Sequence, residues 1–223
     1  MTAWLILYAL TERAVGRLGT TGVAGERLRS IRVGRLDVLV GAVTRSPRPT
    51  ARHLLRYDRV LRSAWRRRSA VLPVRFGTLV RDRAELEVLL RARQRMLLER
   101  LRLVRNRAQM TVRIEPGAGI REPGSGIRDP GSGRSRGRRY LEARARAARL
   151  SDVPEVAVVR DAAARWVKAE HVERGDRLVT LYHLVPRSGV VGYQQAIERA
   201  ARGANVRLRV SGPWPAYAFA GEK

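Results

Sequence analysis

The stretch WLILYAL, residues 4–10, is seven residues long and carries neither a charge nor a turn former. A run of this length is a strand rather than a helix, and since successive side chains point to opposite faces, both faces must be covered. It predicts the central strand of a sheet. Beyond a Gly-rich connection, GTTGVAG (19–25), come two further strand-like runs, LRSIRV (28–33) and LDVLVGAV (36–43), turned at Gly34-Arg35. SPRPT (46–50) then stops strand pairing and offers Thr50 as a helix N-cap. From Ala51 to Arg68 the apolar residues Leu54, Tyr57, Leu61, Ala64 and Trp65 recur at helical spacing, with arginines elsewhere. A second helix is expected from Arg83 to Arg105, with Leu86, Leu90, Leu97, Leu101 and Val104 on one stripe, followed by the strand QMTVRI (109–114). This order of elements is α+β.

Between Arg113 and Gly133 the chain repeats itself as RIEPGAG, IREPGSG and IRDPGSG. Each copy brings a proline without an N–H and two glycines that are costly to order, so the tract reads as a linker. Glycine does not recur at every third position, which excludes collagen, and the unit is not the nonapeptide of a calcium-binding β-roll. After RSRGRR (134–139), YLEARARAARL (140–150) starts a second helical region that Pro154 interrupts or delimits, with helix resuming through Ala162 to His171. RLVTLYHLV (177–185) reads as a strand, GVVGYQQAIERAAR (189–202) as a helix with Tyr193, Ala196, Ile197 and Ala200 inward, and NVRLRV (205–210) as a half-buried strand. The expected organisation is a domain over 1–112, a linker over 113–137, and a second α+β domain over 138–223.

With 223 residues, 44% of them hydrophobic, the chain can build a real core. It has no cysteine, which removes disulfides, thiolate metal ligands and thiol nucleophiles, and suits a reducing cytoplasm. The first apolar run is too short to span a bilayer, and a soluble cytoplasmic protein is expected. The net charge of +26 fits a polyanion partner, or the codon bias of a GC-rich coding sequence, since nearly all of it is arginine. WRRR (65–68) and RSRGRR are the basic clusters that suit phosphates, but Trp65 falls on an apolar stripe and reads as core. His53, His171 and His183 are scattered without metal spacing, GTTGVAG lacks the Lys-Ser/Thr of a phosphate loop, and no carboxylate pair marks a catalytic element. No catalytic residue, metal or cofactor is assigned, and an enzyme is not expected.

Two proline-aromatic stretches stand apart from this composition. In VLPVRFGTL (71–79), Pro73 removes a ladder donor, Gly77 allows a positive φ, and Arg75 is placed to satisfy carbonyls at a sheet edge. In SGPWPAYAFA (211–220), Pro213 and Pro215 stiffen the chain while Trp214, Tyr217 and Phe219 are anchors able to dock a terminal segment.

Leu72, Pro73, Arg75, Phe76 and Gly77 in the first stretch, Tyr140 and Leu141 in GRRYLEARAR, LYHLVPR (181–187), and Gly212, Pro213, Trp214, Pro215, Tyr217 and Phe219 in the last occur in an order that resembles the gas vesicle protein GvpF/GvpL family. The resemblance has departures: Tyr57 where a histidine often stands, no glutamate near Ala108-Gln109, and Ala216 and Ala218 in place of proline and serine. It implies a two-domain α+β protein, ferredoxin-like in its N-terminal domain. It also implies a noncatalytic accessory or minor component of the gas vesicle, which binds the major shell protein, limits its aggregation, and meets other accessory proteins of the same assembly. The charge alone supports the alternative of an arginine-rich nucleic-acid-binding protein.

Overall fold

A computed structural model describes residues 3–115, 154–175, 178–204 and 206–221. The contacts fall into two units, one of Met1–Gln109 with Pro213–Lys223 and the other of Met110–Gly212. The closing segment thus groups with the first half of the chain, although it follows the last strand of the second.

The first unit is built on β1 (Trp4–Thr11), β2 (Leu28–Val33) and β3 (Leu36–Val43), with the short strands β4 (Leu72–Pro73) and β5 (Leu79–Val80). Its sheet has the order β2-β3-β1-β4, and β5 also pairs with β1. The central place expected for WLILYAL holds, since β1 pairs antiparallel with β3, β4 and β5 and every residue after Trp4 is buried. The β2-β3 turn is Gly34-Arg35, flanked by the pair Val33↔Leu36. Gly34 takes φ +56, and a Cβ there would lie 2.2 Å from Gln94 Oε1, so only glycine fits without displacing that side chain.

Helix α1 (Ala51–Arg67) starts where the sequence places it, with Thr50 Oγ1 accepting the His53 N–H at 3.3 Å. Tyr57, Val60, Leu61 and Ala64 seat α1 in a core with Ile6, Tyr8, Leu39 and Val43, and Trp65 packs at its margin. Leu54 departs from expectation: it lies on the helical stripe but is 45% exposed.

The single helix expected over 83–105 is two, α2 (Arg83–Arg91) and α3 (Gln94–Val104). No glycine or proline marks the break. A tertiary contact lies at it: Gln94 Oε1 accepts the Arg35 N–H of the β2-β3 turn at 3.0 Å. Leu86, Leu90, Leu97, Leu101 and Val104 are nonetheless all buried, as their stripe requires.

In the second unit, β6 (Arg107–Ile114), β7 (Ala169–Arg174), β8 (Val179–Pro186) and β9 (Leu208–Trp214) form a sheet of order β7-β8-β6-β9. Two helices accompany it, α4 (Pro154–Ala163) and α5 (Val190–Gly203). Both sheets therefore share one strand order, second-third-first-fourth along their own segments. Strand β6 runs to Ile114, two residues into the stretch read as linker; the rest of the repeats and the YLEARARAARL segment lie outside the described residues. The helix expected from Ala162 to His171 is corrected. Pro154 opens α4, which ends at Ala163, and residues 169–174 form a strand paired antiparallel with β8 from Ala169↔Leu184 to Arg174↔Val179. Cross-strand hydrogen bonding there outweighs local helix preference. Strand β9 begins later than NVRLRV predicts and continues through Gly212-Pro213 to Trp214.

Candidate functional site

The two proline-aromatic stretches meet on one helix. In the first, Leu72 and Pro73 are buried and pair with Leu10 and Ala9 of β1. The chain then leaves β1 and returns to it, the Val74 N–H donating to Tyr8 O at 2.9 Å and the Leu7 N–H to Thr78 O at 3.0 Å. Between these bonds lies a turn in which Gly77 has φ +79 and Thr78 Oγ1 donates to Arg75 O at 2.8 Å. The turn presents Phe76 edge-on to Tyr57, with ring centroids 5.3 Å apart, and Tyr57 stacks in turn on Tyr8 at 5.1 Å. The Tyr57 hydroxyl donates to the Val74 carbonyl, and burial pushes this phenol above its ordinary range. Tyr57, a departure from the family pattern, thus ties α1 to the motif. The Arg75 guanidinium is exposed and makes no hydrogen bond to a described residue, so the carbonyls at this turn are satisfied by Thr78 and Tyr57 instead.

In the closing stretch, the extended run ends at Trp214 and a 3-10 turn follows at Tyr217–Phe219, packed against β4. Gly212 takes φ +125, which explains a glycine at this position. Pro215 and Ala216 are the buried residues, Trp214 and Phe219 are half-buried, and Pro213 is exposed. Ala216, another departure, is small and completely enclosed. The Arg62 guanidinium lies 4.0 Å from the Trp214 ring centroid, and Arg62 Nε donates to Asp58 Oδ2 at 2.6 Å. The Tyr217 hydroxyl donates to the other oxygen, Asp58 Oδ1, at 2.6 Å. Partial burial, reinforced by this carboxylate, raises the Tyr217 phenol above its ordinary range. The Ala218 N–H donates to Gln109 Oε1 at 2.8 Å and Arg100 donates to the Ala220 carbonyl at 2.9 Å. Gln109 lies near the place where the family pattern has glutamate, and its amide oxygen accepts as a carboxylate oxygen would.

Around this junction α1 leaves apolar surface uncovered. Leu54 is 45% and Leu55 68% exposed, one turn before Asp58, and Tyr217 is 37% exposed on that carboxylate. Arg59, exposed, and Arg62 border the same part of the helix. Tyr140 and Leu141 lie outside the described residues.

Sequence reasoning missed Asp58. Its signal was available: it is the only carboxylate in a helix with six arginines, and it stands four residues before Arg62. It also missed a network in the second unit. His183, wholly buried, donates from Nε2 to Glu170 Oε2 at 3.0 Å and accepts at Nδ1 from the Tyr193 hydroxyl at 2.7 Å, a tautomer fixed by the acceptor-only carboxylate. Arg160 also donates to Glu170, from Nη2 to Oε1 at 2.8 Å and from Nε to Oε1 and Oε2 at 3.2 and 3.3 Å. His183 and Arg160 together hold the Glu170 carboxyl down at about 2 against partial burial. His183 and Tyr193 are ten residues apart, and nothing local announces their contact. Among the described residues no three His, Asp or Glu side chains gather as a metal site would require, and no helix is long and apolar enough to cross a membrane.

No curated protein sequence matches this chain significantly. Among the solved structures that share its fold are two gas vesicle proteins. One is the gas vesicle protein GvpF from Anabaena sp. PCC7120, at a TM-score of 0.73 and 16% identity, covering 99% of this chain and 97% of that one. The other is GvpF from Microcystis aeruginosa, at a TM-score of 0.74 and 15% identity with both chains fully covered. At such identities the likeness concerns the fold. The family model described as gas vesicle synthesis protein GvpL/GvpF, however, matches residues 5–221 and takes in both motifs that converge on α1, so this chain belongs to the GvpL/GvpF family of gas vesicle synthesis proteins.

Proposed function

We propose that this protein is a noncatalytic accessory protein or minor component of the gas vesicle, which binds the major shell protein and limits its aggregation while the vesicle forms. The observation that carries the reading is the exposed apolar surface of Leu54, Leu55 and Tyr217 beside the half-buried Trp214, held in place by Asp58 and Arg62. A shell subunit that has not yet packed exposes apolar surface of its own, and a carrier that covers it transiently keeps it from self-association. The net charge of +26 adds repulsion between carriers and favours acidic patches on the partner. The protein would act in the cytoplasm and at the vesicle.

The motif residues divide accordingly. Leu72, Pro73, Phe76, Gly77, Gly212 and Pro215 set the shape of the junction, while Trp214 and Tyr217 present side chains to the partner. The strand order β2-β3-β1-β4, with antiparallel neighbours, supports a ferredoxin-like reading of the first unit in which residues 12–27 replace the first helix. We read the heptads as a connection neither unit needs to fold. Deleting residues 117–133 is expected to leave the melting temperature unchanged, and a large fall would overturn that reading.

The test is co-expression with the major shell protein of the same organism, nuclease treatment, and pull-down at moderate salt. A soluble complex that Leu55→Asp weakens supports the proposal. Recovery of nucleic acid in its place, lost steeply as salt rises, would favour the polyanion reading of the charge.

A further inference from the structure

The loop that follows β3, the first turns of α1, and Val23 and Ala24 line an open surface pocket of about 680 Å³ in the first unit. It is lined by Val23, Ala24, Ser46, Pro47, Thr50 and His53 and by four guanidinium side chains, Arg45, Arg48, Arg52 and Arg56. Its size is that of a small-ligand site rather than of a groove for a duplex. None of the four arginines forms an ion pair with a described carboxylate. Arg56 is held on the Val23 carbonyl at 3.1 Å, and the guanidiniums of Arg45, Arg48 and Arg52 make no hydrogen bond to a described residue. This contrasts with α2, where Arg83 and Arg91 both bond to Glu87 four residues away.

Glu26, two residues beyond the lining residue Ala24, is engaged elsewhere. One of its oxygens accepts the Tyr8 hydroxyl and the other the Ala24 N–H at 2.9 Å. The first turn of α1 contains no acidic residue to complement the free N–H groups of the helix, and Thr50 caps only one of them. His53 Nδ1 donates to the Arg48 carbonyl at 2.7 Å, which fixes the ring at the pocket wall. Four cations that line one pocket without a protein counter-ion repel one another and favour an anion among them.

We propose that this pocket is a binding site for a multiply charged phosphate chain, as in an inorganic polyphosphate or the phosphate end of a nucleotide. Arginine forks suit phosphate oxygens, and the volume accommodates more than one phosphate. The lining offers no aromatic side chain other than His53 on which a base would stack, so recognition is assigned to the phosphates.

The experiment is calorimetric titration of the full chain with inorganic tripolyphosphate, at constant ionic strength. Saturable binding near one equivalent is expected, weakened about tenfold or more in Arg48→Gln/Arg52→Gln, where two charge-assisted hydrogen bonds are lost. Arg45→Gln, off the helix, gives a second, independent loss. Arg66→Gln/Arg67→Gln, at the opposite end of α1, keeps the same net charge as the first double variant and is expected to bind like the parent. ATP binding equal to tripolyphosphate assigns the ligand to the phosphate chain; tighter ATP binding adds a contribution from the nucleoside. Absence of saturable binding, equal losses in both double variants, or tighter binding of a polyglutamate peptide than of tripolyphosphate would overturn the proposal.

Discussion

The Tyr217 hydroxyl donates to Asp58 Oδ1 at 2.6 Å across 159 positions of sequence. The second oxygen of the same carboxylate accepts from Arg62, whose guanidinium lies over Trp214. Asp58 thus ties Tyr217 directly, and Trp214 through Arg62, to α1.

Removing one partner of that bond should cost about 1 kcal/mol, since Tyr217 is partly exposed and water can replace the lost hydroxyl. Urea unfolding of Tyr217→Phe, Asp58→Asn and the double variant forms the cycle. A coupling of about 0.5–1.5 kcal/mol is expected, and additivity of the two single losses would show that the bond contributes nothing.

Trp214→Ala should destabilise by about 1–2 kcal/mol, below the ~3–5 kcal/mol typical of a fully buried ring, because the indole is only partly buried. Ala216→Leu acts in the opposite sense, inserting volume into a site that is 1% exposed, and about 1–3 kcal/mol should be lost to overpacking. Thermal melts of the two variants would separate docking energy from packing fit.

Gly77→Ala should cost about 1 kcal/mol from backbone conformation alone, because φ is +79 and no atom lies within 4 Å of the added Cβ. Gly77→Asn should cost less, since asparagine tolerates the left-handed region better. Equal losses in both would point to a contact of the side chain instead.

Acid should weaken the second unit through Glu170. Its carboxyl is held at about 2 in the folded chain, below the ordinary 4.5, so the folded state binds its proton less readily than the unfolded state. The resulting stability is complete above pH 4.5, declines as pH falls from there toward 2, and amounts to about 2–3 kcal/mol. Melting temperatures of the parent between pH 6 and pH 2.5 should fall more steeply than those of Glu170→Gln, which has no proton to take up. Parallel curves would assign the acid sensitivity elsewhere.

Much of the fold is legible in the sequence where short-range physics decides it. The apolar run of β1, the Gly34-Arg35 turn, the Thr50 cap and the leucine stripe of α2 and α3 each depend on residues within a few positions of one another. Tertiary structure alone decided the rest. The break before Gln94 coincides with the side chain's reach to Arg35, 59 positions away, and residues 169–174 are a strand because β8 supplies their hydrogen-bond partners. Leu54 stays exposed although its spacing matches the buried stripe, since burial requires a neighbour that periodicity cannot name. Likewise Tyr57, Asp58 and Arg62 read as ordinary helix residues until two distant loops deliver Phe76, Tyr217 and Trp214 to them. Local sequence sets backbone preference and the side of an element that seeks the core; only long-range packing determines which polar groups meet and which apolar ones are left in water.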